Sequence, residues 1–217
     1  MLQRFREYIA ANSLCSEDEH ILLAVSGGID SVVMTDLFAE SGFKTGLAHC
    51  NFGLRGAESD EDEAFAGSLA ERYSMEFHST RFPTGQVAEQ ERISIQMAAR
   101  NLRYEWFEKL REAHGYSWIA TAHNQDDVLE TFFINLSRGT GIRGLTGISP
   151  RTGRVIRPLL FAPRRDIVEY ADSKGLSYRE DSSNASDKYL RNRIRHHLIP
   201  LLEEQNPTGE RKRCTKY

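Results

Sequence analysis

Short apolar runs alternate with longer amphipathic segments along this chain of 217 residues. "ILLAVS" from Ile21, "KTGLAHC" from Lys44, "MEFHSTRF" from Met75 and "SWIATAH" from Ser117 have the length of strands. Between them, segments opening near Ser31, Ser59, Ile95 and Asn124 are longer and periodic, and read as helices. This repeated strand–helix–strand order predicts an α/β fold, a doubly wound, mostly parallel sheet with helices on both faces. In such sheets ligands lie beyond the carboxyl ends of the strands.

The pattern changes at both ends of the chain. "MLQRFREYIAANSL" places Leu2, Phe5, Tyr8 and Ile9 at helical spacing with charges between them, which predicts an amphipathic surface helix and not a signal peptide. "SRGTGIRGLTGI", Ser137 to Ile148, is too rich in glycine for an element interior and is expected to be a loop. After it come "VIRPLL", a helix opening near "APRRDIVEY", and a last helix around "KYLRNRIRHHL". There Ile194 and Leu198 stand one turn apart and Pro200 stops or kinks the helix. The expected organisation is one domain over residues 1–205, followed by a frayed tail over 206–217 without apolar period.

Hydrophobic residues at 40% supply a core for one sizeable domain. No apolar run approaches membrane length, so a cytoplasmic chain with no membrane partner is expected. Cys15, Cys50 and Cys214 have neither CxxC nor metal-ligand spacing and read as reduced thiols. A net charge of -3 argues against a nucleic-acid partner only until its distribution is considered. Between Glu130 and Asp166 there is no acidic residue, whereas Arg138, Arg143, Arg151, Arg154, Arg157, Arg164 and Arg165 all fall there. "ESDEDEAF", by contrast, is strongly acidic. A local basic surface on an acidic chain is compatible with RNA.

The candidate chemistry begins at "HILLAVSGGIDSVVMTDLF", His20 to Phe38. Ser26, Gly27, Gly28, Ile29, Asp30 and Ser31 stand where a strand meets a helix N-terminus, a place whose amides and dipole favour a phosphate-like anion. The Walker pattern and the GxGxxG fingerprint are both absent. Gly-Gly as a tight turn with Asp-Ser as an ordinary N-cap is the plainer alternative. Asp30 would repel a polyphosphate unless a divalent cation lay between them, and Mg²⁺ commonly binds through one or two carboxylates plus substrate phosphates.

SGGxDS after a hydrophobic strand resembles the pyrophosphatase loop of the ATP pyrophosphatases, the PP-loop superfamily. "AHCNFGLRGAESDEDEAF", "AARNLRYEWF", "TAHNQDDVLETFFINLSRGTGIRGLTGI", "IRPLL" and "EDSSNASDKYLRNRIRHHLIPLL" then follow in an order similar to that of the N-terminal catalytic domain of the tRNA(Ile)-lysidine synthases. The resemblance covers nearly the whole chain. It implies an adenine nucleotide alpha hydrolase-like fold, ATP and Mg²⁺ as cofactors, and a ligase acting on tRNA(Ile) with the anticodon CAU. ATP would adenylate the wobble cytidine, and L-lysine would displace AMP to form lysidine. A homodimer is implied by resemblance only. The family usually continues into C-terminal domains that grip tRNA, which are expected to be absent here.

Against that chemistry, Asp127 and Glu130 lie three apart on one helix face, where they could complete a metal site with Asp30 or take a proton from the attacking lysine. An acidic first turn complementing the helix dipole is the alternative. His123 could hold phosphate or the developing charge on the base oxygen. His49 and Asn51 leave a second strand at the same rim, as nucleotide or base contacts or as strand-end caps. Arg100 and Arg103 beside Tyr104 suit phosphate and base contacts, or simple solvation. In the last helix Arg191 and Arg195 share a face and Arg193 points elsewhere. At least one is expected to neutralise phosphate in the transition state, with Arg193 and Arg195 as the candidates. Arg138, Gly139, Gly141, Arg143 and Gly144 form a basic loop suited to an RNA backbone or a lid, or a mere connector. Phe52 departs from the family pattern, which commonly has a second histidine there. The rival readings are a PP-loop tRNA thiolase and an ATP-binding module without covalent chemistry.

Overall fold

The apolar runs become the parallel strands β1 (His20–Ala24), β2 (Lys44–Asn51), β3 (Glu76–Arg81) and β4 (Trp118–Thr121) of a computed structural model that describes residues 1–141, 147–179, 190–199 and 201. Two short strands, β5 (Arg151–Thr152) and β6 (Val155–Ile156), complete a sheet of order β3-β2-β1-β4-β6-β5. Every neighbouring pair is parallel except β5 with β6. The fold is the doubly wound α/β arrangement expected from the alternation.

Alternate strand residues feed two cores. Ile21, Leu23, Leu47, Trp118, Ala120 and Ile156 pack on one face with α1 (Leu2–Ala11), α2 (Ile29–Glu40), α3 (Ala57–Arg72) and α7 (Arg164–Lys174). Leu22, Ala48 and Ile119 pack on the other with Phe107 and Leu110 of α5 (Ile95–His114) and with Tyr116. Each fully buried side chain of this size contributes about 1.5–3 kcal/mol. Helix α5 starts where Ser94 accepts a hydrogen bond from the Met97 amide at 3.2 Å, and it ends at Gly115, whose φ of 70° continues the chain out of the helix. Within α2, the buried Asp36 accepts hydrogen bonds from the hydroxyls of Tyr73 and Tyr170, both 2.7 Å long. These ties hold α2 to the end of α3 and to α7. Burial, reinforced by the Asp36 carboxylate, pushes both phenols well above their usual range.

The chain divides into one unit of Met1–Asp126 with Ser149–Asp181 and another of Asp127–Ile148 with Ser182–Tyr217. The second contains most of α6 (Gln125–Ser137), α8 (Leu190–Arg193) and a π-helical turn over Ile194–Leu198. There the Ile199 amide donates to the Ile194 carbonyl, so the expected last helix is wider than α-helical at this point.

Several boundaries differ from expectation. Helix α2 opens at Ile29, which puts Asp30 and Ser31 inside its first turn; Gly28, not Asp30 or Ser31, is the N-cap. Helix α4 (Thr84–Glu91) and the two-residue strands β5 and β6 were not anticipated, since segments this short carry little periodicity. Arg143, Gly144, Pro200 and the tail 206–217 lie outside the described residues.

Gly46 of β2 makes room for a neighbour: a Cβ there would stand 1.9 Å from the hydroxyl of Tyr116, which is 1% exposed. Gly46→Ala should therefore overpack this core and cost about 1–3 kcal/mol. Urea denaturation should show a lower midpoint with an unchanged m-value.

Candidate nucleotide site

The turn after β1 is shaped by its glycines. The Val25 amide is still held by the Ala48 carbonyl at 2.9 Å, and the chain reverses at Gly27 with φ 92°. A Cβ on Gly27 would meet Arg179 Cγ and Phe65 Cδ1, each at 3.4 Å, in a conformation that L side chains rarely adopt. Gly28 precedes α2 with extended backbone and has no side chain with which to cap it. Ser31 Oγ donates to the Gly28 carbonyl at 2.8 Å and lies 3.4 Å from Ser26 Oγ. The result is a glycine-walled helix N-terminus, a place where amides and dipole together favour an anion.

Asp30 does not stand alone in this turn. Its Oδ1 accepts a hydrogen bond from Asn124 Nδ2 at 3.1 Å, and its Oδ2 is ion-paired with Arg164. Asn124 also caps α6 by accepting the Asp126 amide at 2.9 Å, and the Arg164 amide donates to Asp126 Oδ2 at 3.3 Å. One network thus joins the loops that follow β1 and β4 to the first turn of α7. His123 sits on the same rim, its Nδ1 3.0 Å from Thr121 Oγ1.

Two predicted rim residues are engaged with backbone. His49 is 4% exposed, and its Nδ1 bonds the Val25 carbonyl at 2.9 Å; burial holds its pKa below the ordinary imidazole value. Asn51, 1% exposed, donates to the Ser59 carbonyl, Asp60 and Glu63, and accepts the Gly53 amide at 3.0 Å. It ties β2 to α3, the strand-end role weighed for it. The hydrogen bond from Asn51, with one from Ser79, holds the Glu63 carboxyl below its usual range.

The acidic run of α3 proves to be largely paired. Asp62 is bridged by Arg55 at 2.6 Å and by Arg179 at 2.9 Å, and Arg179 also reaches Glu61 at 2.7 Å. Because the Arg179 amide donates to the Gly27 carbonyl at 2.9 Å, this pairing buttresses the glycine turn. Arg179 and Asn124 were missed in the sequence. Asn124 could have been found as a helix cap, whereas nothing local marks Arg179. On α5, Arg100 lies over Tyr104 at 4.9 Å, and Arg103 lies over Phe52 at 5.0 Å. Phe52 itself stacks on Phe82.

In the second unit, Arg191 bonds both Asp127 and the fully buried Glu130, each at 2.5 Å. The arginine that meets the two acids is thus Arg191. Arg193 is exposed, and Arg195 falls outside the described side chains. Asp30 and His123 belong to the first unit, Asp127 and Glu130 to the second.

The model of the PP-loop domain matches residues 1–202. A tRNA(Ile)-lysidine synthase of Bacteroides thetaiotaomicron is 48% identical over 206 residues, which is 95% of this chain and 48% of that protein. One of Chlorobaculum tepidum is 42% identical, covering 94% of this chain and 62% of its own length. The chain spans about half the length of the first of these curated relatives. Among solved structures, the U34-tRNA thiolase NcsA of Methanococcus maripaludis superposes with a TM-score of 0.76 at 20% identity, covering 95% of this chain and 73% of that one. At that identity the likeness shows the fold alone.

His49 carries a pH signature. With its folded pKa depressed below 6.5, its stabilisation is complete above that value and is lost as pH falls through it toward the folded pKa, because the unfolded chain then binds a proton that the folded chain refuses. His20 and His78 are shifted in the same direction. His49→Gln should therefore flatten, without abolishing, the loss of stability between about pH 7 and pH 5. Denaturant titrations at several pH values read that slope.

Proposed function

The chain belongs to the PP-loop domain family, and from that premise we propose that it is the catalytic part of an ATP-dependent ligase that attaches lysine to the wobble cytidine of tRNA(Ile). The observation that carries the reading is a carboxylate, Asp30, held in the first turn of a glycine-walled helix N-terminus. It is supported by lysidine synthases 37–48% identical over nearly the whole chain.

ATP would place its phosphates at the amides that open α2. Gly27 and Gly28 permit close approach, and the Ser26 and Ser31 hydroxyls add donors. Asp30 fits Mg²⁺ by the chemistry of its oxygens, and Arg164, half exposed at its side, is a group that a cation can displace. When bound, the ion would neutralise the leaving pyrophosphate. The cytosine carbonyl oxygen attacks the α-phosphorus, forming the O–P bond as the bond to pyrophosphate breaks. The lysine ε-amine then attacks the activated ring carbon and AMP leaves with the electron pair of the C–O bond. The amine sheds a proton, for which Asp127 or Glu130 is the proposed acceptor. Arg191 is ion-paired with both of those acids and holds them side by side. We assign His123 to phosphate or the developing oxyanion. The exposed Arg138 is assigned to the RNA backbone. Lysine selection and any pairing of two copies belong to this proposal as well.

The thiolase alternative is weaker on the cysteine chemistry. Burial pushes the Cys15 and Cys50 thiols up to about 12, which leaves them protonated and poor nucleophiles.

The decisive assay is pyrophosphate release from Mg-ATP with an unmodified CAU transcript, with and without lysine, followed by mass analysis of the wobble nucleoside. Lysine-adducted cytidine is the expected product. Pyrophosphate release without the adduct would reject lysine as the nucleophile. Asp30→Asn should lower release by at least ~10²-fold with an unchanged circular dichroism spectrum. Near-normal turnover would remove Asp30 from the mechanism. Arg138→Ala should weaken transcript binding and reduce the slope of log K against log salt by about 1, read by filter binding.

A further inference from the structure

At the other end of the same sheet, where the strands begin, lies a group that the ATP chemistry does not use. Glu76 opens β3, His78 follows on the same face, and His114 ends α5. We propose that Glu76, His78 and His114 bind a zinc-class divalent cation.

The distances carry the inference. Glu76 Oε1 is 3.5 Å from His78 Nε2 and 3.3 Å from His114 Nδ1, and one ligand atom from each residue lies within 4.8 Å of the others. Four ligands placed about 2.0–2.1 Å from a tetrahedral ion stand roughly 3.3–3.4 Å apart, so two edges of such a site are already set. Two imidazoles and one carboxylate are a zinc donor set that leaves one position for water. Among the described residues this is the one group of its kind.

A supporting shell is also in place. The hydroxyl of Tyr116 lies 2.9 Å from His78 Nε2 and donates to Glu76 Oε2 at 3.3 Å, leaving Oε1 to face the two histidines. Such a donor behind a carboxylate ligand fixes its orientation. Gly46 gives the hydroxyl its room, as the absence of a Cβ there requires. The cation would cross-link the edge strand β3 to the end of α5.

The test is calorimetric titration of the EDTA-stripped full chain with Zn²⁺, paired with thermal unfolding. One equivalent should bind and raise Tm. Loss of a group merely behind a ligand costs about 10–100-fold in affinity, so His114→Ala and Glu76→Gln should each weaken binding at least tenfold and abolish the Tm shift. His114 is exposed at a helix end, and unchanged Tm values in EDTA would show that its variant folds. No uptake by the wild type at sub-millimolar Zn²⁺, or equal uptake by the wild type and both folded variants, would overturn the proposal. Nucleotide binding should be unaffected, which separates this result from any failure of the ligase reading.

Discussion

A negative charge beside an anion-binding turn must be balanced, and the pairing of Asp30 with Arg164 and Asn124 is how this chain balances it. Without a partner, the carboxylate would weaken the very site that the amides of α2 create. The partners come from far along the chain, Asn124 from the loop after β4 and Arg164 from the start of α7. Balancing one charge therefore aligns three strand–helix junctions at the carboxyl rim of the sheet.

A second layer of charge works in the same way. "ESDEDEAF" is strongly acidic in sequence, and in the fold its Asp62 is buried between Arg55 and Arg179. Arg179 also supplies the amide that fixes the Gly27 carbonyl. The acids of α3 thus hold the arginine that holds the turn. The acids Asp30, Glu61 and Asp62 are each matched with an arginine, a local balance invisible in a net charge of -3.

What could be read from the sequence was what is local. Strands β1 to β4, the junction at Ser26–Ser31 and the parallel topology follow from short strand-length runs alternating with longer periodic segments and from one turn motif. The π-helical turn at Ile194–Leu198 was not legible, because Ile194 and Leu198 fit an ordinary helix equally well. Nor was the choice of Arg191 over Arg193: both are one short step from Asn192, and only the packing of Glu130 distinguishes them. His49 and Asn51 were correctly placed at a strand end. Whether such residues face a ligand or their own backbone depends on contacts with Val25 and α3 that no spacing encodes.

The pair between Asp30 and Arg164 also bears on how a nucleotide and its cation would arrive under the proposed function. A lone divalent ion must break that pair before it gains the carboxylate, and the broken pair offsets much of its binding. A nucleotide changes the balance. Its phosphates are drawn to the amides of α2, and once there they give Arg164 another anion to contact and the ion further oxygens. Displacing the arginine then leaves no charge unmatched. Under that proposal ion and nucleotide are consequently expected to bind together, with Arg164, the first residue of α7, exchanging the Asp30 carboxylate for phosphate.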